Sequence, residues 1–258
     1  MTVPRFIAMK AARRKIVMLT AYDYITANLL DSAGVDALLV GDSLGMVVQG
    51  HPTTLPVSLE QMIYHAEMVS RAAKRALVVA DMPFLSYQTG KRDAIANAGR
   101  ILKETRCQAV KLEAAPDQAE LIAALVSAGI PVMAHLGLRP QSIHQSGYQV
   151  QRDRQRLLAD SKAMEQAGAF AILLECVPAD IATQVTTEVN VPTIGIGAGP
   201  GCDGQILVFH DLLGLVPGRV PRHAKVFADV KAVIVDAVTR YRDEVRSGAF
   251  PTSQQSFT

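Results

Sequence analysis

The chain has 258 residues, 49% of them hydrophobic and 19% charged, with a formal net charge of +2. This content suits one large core, and an α/β barrel of about 250 residues is a common single-domain solution at this length. The near-balanced charge gives no electrostatic case for nucleic acid or for an acidic membrane surface.

Cys107, Cys176 and Cys202 lie far apart with no C-x-x-C pair, so neither a disulfide framework nor a zinc site is indicated, and they read as small buried hydrophobes. Met1 to Lys15 holds no apolar segment long enough for a secretory signal, and no run approaches about 18 apolar residues. The expected setting is the reducing cytoplasm.

Taken in order, residues 15–21 form a short apolar run that reads as a strand, and 22–33 follow with Ile25, Leu29 and Leu30 at helical spacing before Gly34. The unit repeats as strand 36–41 and helix 58–73, with Ser58 at its start and Glu60 and Gln61 in its first turn. Strand 76–81, helix 91–106, strand 109–113 and helix 117–128 come next. Strand 131–136, helix 153–167, strand 170–175, helix 179–189, and strands 191–197 and 204–209 continue the series. A helix over about 222–246 closes it.

Eight buried apolar strands alternating with helices predict a single-domain (β/α)8 barrel over 1–258, with a short N-terminal extension and a mobile polar tail after Gly248. An open doubly wound sheet is the structural competitor. The connections 42–57 and 138–152 are longer than a barrel needs, and both follow strands on the face where barrel active sites lie.

The strands end alike. Leu38-Leu39-Val40-Gly41 runs into Asp42 and Ser43, 77–80 into Asp81, 109–112 into Glu113, 132–134 into His135 and 172–174 into Glu175. In a parallel barrel these ends converge on one mouth. Asp42, Asp81 and Glu113 would repel one another there unless a cation or basic group shares the site, and oxygen ligands favour magnesium or manganese over zinc. The alternative is three exposed loop acids or helix caps.

Lys111, two positions before Glu113 on the same side of the pleat, suits a substrate carboxylate or a structural ion pair. Ser43 fits an anion contact or a simple turn, and His135 a substrate-orienting group or a scaffold histidine. Glu175 lies among Leu173, Leu174 and Cys176, which suits a general base or acid with a raised pKa; the competing reading pairs it with an arginine at the rim. The run Gly195-Ile196-Gly197-Ala198-Gly199 fits a tight turn better than a phosphate loop. No G-x-S-x-G, Walker or H-E-x-x-H sequence occurs.

Several motifs in joint order resemble the ketopantoate hydroxymethyltransferase family from about residue 10 to 250. They are Thr20-Ala21-Tyr22-Asp23-Tyr24, the run from Leu39 through Gly41-Asp42-Ser43-Leu44-Gly45 to Gly50, Ala80-Asp81-Met82-Pro83-Phe84 and Val110-Lys111-Leu112-Glu113. His135-Leu136-Gly137-Leu138-Arg139-Pro140-Gln141-Ser142, Leu173-Leu174-Glu175-Cys176-Val177-Pro178 and the 194–199 glycine run complete the set.

The resemblance implies hydroxymethyl transfer from 5,10-methylenetetrahydrofolate to 3-methyl-2-oxobutanoate through a magnesium-stabilised enolate, giving ketopantoate for pantothenate and coenzyme A synthesis. It implies Asp42 and Asp81 as Mg2+ ligands, with Glu113 at or beside the metal. It further implies substrate contacts from Asp42, Ser43, Asp81 and Lys111, with His135 nearby, and Glu175 as catalytic base. A homodecamer is implied as well.

The chain departs from the family at Ala114-Ala115-Pro116, at 145–154 and at 221–225, where glycines or other residues are usual. Two further classes remain in view, a magnesium barrel lyase acting on another 2-oxo acid and a non-catalytic paralogue. Such a lyase would use a cysteine-bearing loop, and neither long connection contains cysteine.

Overall fold

The structure is a computed structural model that describes residues 1–216 and 218–257, with the side chain of Pro116 outside the description. The chain divides into two compact units, Met1–Val208 and Phe209–Thr258.

The first unit opens with helix α1 (Val3–Ala11), started by Thr2, whose hydroxyl accepts from the Arg5 N–H, and by a proline in its first turn. The series then runs β1 (Ile16–Thr20), α2 (Tyr24–Ser32), β2 (Ala37–Val40), α3 (Leu44–Val47), α4 (Leu59–Ala72), β3 (Leu77–Asp81) and α5 (Lys91–Glu104). It continues as β4 (Ala109–Glu113), α6 (Ala119–Ser127), β5 (Val132–Gly137), α7 (Ile143–Ser146), α8 (Arg154–Gln166), β6 (Ala171–Glu175), α9 (Ala179–Glu188), β7 (Thr193–Ile196) and β8 (Gly204–Leu207).

All neighbouring strands pair in parallel, and β8 pairs back onto β1, so the sheet is a closed eight-stranded barrel and the open-sheet competitor is excluded. Helix starts follow local chemistry. Asp23 accepts from the Thr26 N–H at the head of α2, and Ser58 and Gln61 form a capping box at α4.

Every second strand residue faces the interior. That row packs into one cluster: Ile16 and Met18 of β1, Ala37 and Leu39 of β2, Leu77 and Val79 of β3, Ala109 of β4, Met133 of β5, Ala171 and Leu173 of β6, Ile194 and Ile196 of β7, and Ile206 of β8. Phe6 and Met9 of α1 join the same cluster, and the Phe6 and Phe170 rings meet edge to face with centroids 5.7 Å apart. A helix where the sequence suggested only an extension therefore packs onto the barrel core.

The second unit contains α10 (Phe209–Leu212), α11 (Val230–Ser247) and a short 3-10 turn over Ser253–Gln255 capped by Thr252. The last helix starts at Val230, not near 222. The Phe227 and Val230 N–H groups donate instead to the Leu212 and Leu213 carbonyls, and Asp229 caps the helix by accepting from the Ala232 N–H. Among the described residues, no helix is long and apolar enough to cross a membrane.

Candidate active site

The inward rows that are apolar through the barrel turn polar at the carboxyl ends of the strands. Ala109 leads to Lys111 and Glu113, Val79 to Asp81, Met133 to His135 and Leu173 to Glu175, while Asp42 and Ser43 follow β2. Register brings them level: Asp81 lies opposite Lys111, Glu113 opposite His135 and Gly137 opposite Glu175.

Asp42, Asp81 and Glu113 are 7%, 2% and 5% exposed, which rules out loop acids bathed in solvent. The Asp42 N–H donates to Asp81 Oδ2 at 2.9 Å, which needs the chain at Gly41 to pass close by. A Cβ on Gly41 would sit 2.9 Å from Ser43 Oγ and 3.5 Å from that same carboxylate oxygen.

Lys111 Nζ lies 2.8 Å from Asp81 Oδ1 and donates to His135 Nδ1 at 3.3 Å. An ammonium has no acceptor, so Nδ1 must be the unprotonated ring nitrogen and the His135 proton sits on Nε2. Nε2 in turn faces Glu175 Oε2 at 3.3 Å. The side chain facing the Glu175 carboxylate is thus a histidine and not an arginine. Four consecutive strands contribute one polar chain, Asp81–Lys111–His135–Glu175. The Glu175 side chain keeps 19% of its surface open.

Its backbone is pinned: the Glu175 carbonyl accepts from the Leu138 N–H at 2.8 Å, and Gly137, at φ +94°, passes so near that a Cβ there would lie 2.2 Å from the Glu175 carbonyl oxygen. The Ser43 hydroxyl meets Tyr22 Oη at 2.8 Å.

Electrostatics follow from three acids and one lysine in a dry space. Burial pushes Asp81 up to about 7, against the pull of the Lys111 ammonium and with help from Asp42. Burial, then repulsion from Asp42, pushes Glu113 up to about 8. Burial works against the Lys111 ammonium, but Asp81, Asp42 and Glu113 outweigh it and hold the group above the ordinary lysine range. Burial and then Lys111 lower His135, so its imidazole is neutral near pH 7.

The residues also fit a divalent cation. Glu113 Oε2 is buried without a hydrogen-bond partner, beside two further carboxylates. Among the described residues no three His, Cys, Asp or Glu side chains form a ready-made cage. Magnesium characteristically uses one or two carboxylates and completes its shell with water and substrate oxygens.

Three members of the site are not among the expected site residues. Gln141, in a 3-10 turn after β5, is 5% exposed and binds both Asp42 and Glu113; Tyr87 contacts Gln141; and Tyr22 contacts Ser43. For Tyr22 a signal did exist, since it follows β1 as directly as Asp42 follows β2. Tyr148, on the long connection after β5, lies within the field of Glu175 and Asp42, and burial and then those two carboxylates raise its hydroxyl.

Comparison with known proteins shows the family of the chain. The family model described as ketopantoate hydroxymethyltransferase matches residues 1–253. The chain is 57% identical over 250 residues to 3-methyl-2-oxobutanoate hydroxymethyltransferase of Rhodopirellula baltica, covering 96% of this chain and 93% of the relative. It is 51% identical over 257 residues to the protein of that description from Desulforapulum autotrophicum, covering 99% and 98%.

Among solved structures it resembles a phosphonopyruvate hydrolase in complex with oxalate and Mg2+, with TM-score 0.66, 14% identity, and coverage of 99% of this chain and 93% of that one. It also resembles 2,3-dimethylmalate lyase, a PEP mutase/isocitrate lyase superfamily member, with TM-score 0.62, 18% identity, and coverage of 99% and 91%. At those identities the structural likeness shows the barrel fold alone. The near-full-length matches show more: the chain belongs to the ketopantoate hydroxymethyltransferase family, and it is a transferase enzyme.

Proposed function

We propose that the protein transfers a hydroxymethyl group from 5,10-methylenetetrahydrofolate to 3-methyl-2-oxobutanoate, forming ketopantoate, with Mg2+ at the Asp42, Asp81 and Glu113 carboxylates. One observation carries the reading: the buried chain Asp81–Lys111–His135–Glu175, with contacts of 2.8, 3.3 and 3.3 Å, links a cluster of carboxylates to a single partly open carboxylate. That is the separation an enolisation needs, with charge stabilisation on one side and a base on the other.

Mg2+ bound among the acids would polarise the keto oxygen of a 2-oxo acid and offset the negative charge that develops there. Ser43 and Lys111 receive the substrate carboxylate. Glu175 takes the C3 proton, and the neutral His135, its proton on Nε2, steadies the Glu175 carboxylate in the geometry that faces C3. The C3 carbon then forms its bond to the one-carbon unit of the folate, whose two bonds to folate nitrogens break. Water supplies the new hydroxyl oxygen, and its second proton and the abstracted C3 proton go to the two nitrogens, giving tetrahydrofolate. The connections after β2 and β5 border this mouth and suit closure over the folate.

Proton NMR of 3-methyl-2-oxobutanoate in D2O tests the reading. The C3 proton signal is expected to disappear with protein and Mg2+ and to persist with a chelator, and added methylenetetrahydrofolate should convert the acid to ketopantoate. Exchange without conversion would refute the folate donor. Absence of both from folded protein would refute the reaction. Glu175→Gln should bind Mg2+ as the parent does and lose C3 exchange, and full exchange in that variant would remove Glu175 from its role.

A further inference from the structure

We infer that Gln141 is a positioning residue that sets Asp42 and Glu113 for the divalent cation, an inference that rests on the cation reading above. Its carboxamide is used to capacity. Nε2 donates to Asp42 Oδ2 at 2.8 Å and to the Met82 carbonyl at 3.0 Å, while Oε1 accepts from Tyr87 Oη at 2.8 Å and from Gln88 Nε2 at 3.3 Å. Two hydrogens and two lone-pair directions are the whole inventory of an amide.

Turning the amide over would set its oxygen against two acceptors and its nitrogen against the Gln88 amide donor, so the orientation is over-determined. The backbone N–H of the same residue donates to Glu113 Oε1 at 2.8 Å. One residue therefore ties one oxygen of each of two carboxylates that come from different strands. It leaves the other oxygens for the shared space, Glu113 Oε2 among them without a partner.

The choice of a neutral amide has a chemical reason. A lysine or arginine here would orient the same oxygens but cancel the charge that attracts a cation. A leucine would leave Asp42 Oδ2 buried without this partner and Tyr87 Oη with only the Glu113 carbonyl at 3.4 Å. Glutamine orders the carboxylates and leaves their charge in place. Groups that orient metal ligands in this way characteristically alter metal affinity by about 10–100-fold when removed.

The test is calorimetric titration of MgCl2 alone into the metal-free protein, with Mn2+ spin resonance as a second probe, for the parent, Gln141→Leu and Tyr87→Phe. Gln141→Leu should raise the Kd for Mg2+ by about tenfold or more. Its kcat should recover toward the parent value at saturating Mg2+, a split that general loss of structure does not give.

Tyr87→Phe keeps the ring and removes the hydroxyl that orients Oε1 and lies 3.4 Å from the Glu113 carbonyl. It should raise the Kd by a smaller factor than Gln141→Leu does and lower the unfolding midpoint only slightly. It also serves as the deciding variant if Gln141→Leu does not fold. A parent that binds Mg2+ alongside variants with the same Kd would overturn the role of Gln141 alone. A parent that gives no binding with either metal would overturn the cation reading and this inference with it.

Discussion

Lys111→Met in metal-free protein probes the central electrostatic claim. Lys111 and Asp81 are buried, with side chains 6% and 2% exposed and 2.8 Å between Nζ and Oδ1. Removing one partner of a buried pair costs about 3–5 kcal/mol, because the other charge is left uncompensated. For a chain of this size that is roughly 6–20 °C in Tm, at about 2–4 °C per kcal/mol.

The loss should depend on pH with a definite sign. Burial already pushes Asp81 up to about 7, and removing Lys111 moves it higher, so the folded variant binds a proton that the unfolded chain, near its ordinary value of 3.8, has released. Stability then falls as pH rises across that window. At pH 8 the variant must either bury a bare carboxylate or take up a proton uphill. At pH 5 Asp81 is protonated in parent and variant alike. The parent follows the same slope up to about 7, so the variant's extra loss accumulates only above that value, at about 1.4 kcal/mol per pH unit.

Urea unfolding in EDTA at both pH values measures this. Relative to the parent, the expected loss of unfolding free energy is greater at pH 8 than at pH 5 by about 1.4 kcal/mol. The double variant Lys111→Met with Asp81→Asn should regain most of the pH 8 loss, since the amide oxygen can still accept from the Asp42 N–H. A single variant as stable as the parent at pH 8, or equally destabilised at both pH values, would refute the reasoning.

Other outcomes follow from the same geometry. Because Glu113 and Asp81 titrate near 8 and 7 in the fold, the metal-free parent should lose stability as pH rises from 5 to 8, and MgCl2 should flatten that slope in urea midpoints; a rising metal-free curve contradicts it. Gly137→Ala places a Cβ 2.2 Å from the Glu175 carbonyl oxygen at a φ of +94°. It should cost at least ~2 kcal/mol in unfolding and lower kcat more than it alters the Mg2+ Kd. Phe6→Ala empties a fully buried site under the barrel and should cost about 3–5 kcal/mol in urea unfolding with KM for the 2-oxo acid unchanged.

What the sequence reveals and what it conceals divide along a physical line. A strand buried on both faces has to be apolar, so the eight runs and the alternation with helices are visible without any tertiary knowledge. Asp42, Asp81, Glu113, His135 and Glu175 stand out because each interrupts such a run where a barrel opens.

Helix α1 is harder to see. Its basic residues resemble a solvated extension, and only the packing of Phe6 and Met9 against residues from several strands reveals its role. The late start of α11 depends on backbone bonds from 227 and 230 to 212 and 213, which leave no trace in helical spacing. Gln141 is concealed for the same reason: its partners Asp42 and Tyr87 lie 99 and 54 residues away, and a neutral amide in a loop looks like any other.

The deeper economy lies in the period of two. In β4 the inward row is Ala109, Lys111 and Glu113, and the intervening Val110 and Leu112 are buried on the other face. A slip of one residue would drive an ammonium and a carboxylate under the helices and present two aliphatic groups to the substrate. The first change costs several kcal/mol for each unpaired charge, so the pressure that fixes the core also fixes the site. The pairs Asp81 with Lys111 and Glu113 with His135 then need no separate device to bring them level, because the ladder that closes the barrel already does so. The rigid apolar floor beneath them, sealed by Phe6, is what holds three acids and one lysine together without rearranging, and the repulsion among the acids is what a divalent cation would offset.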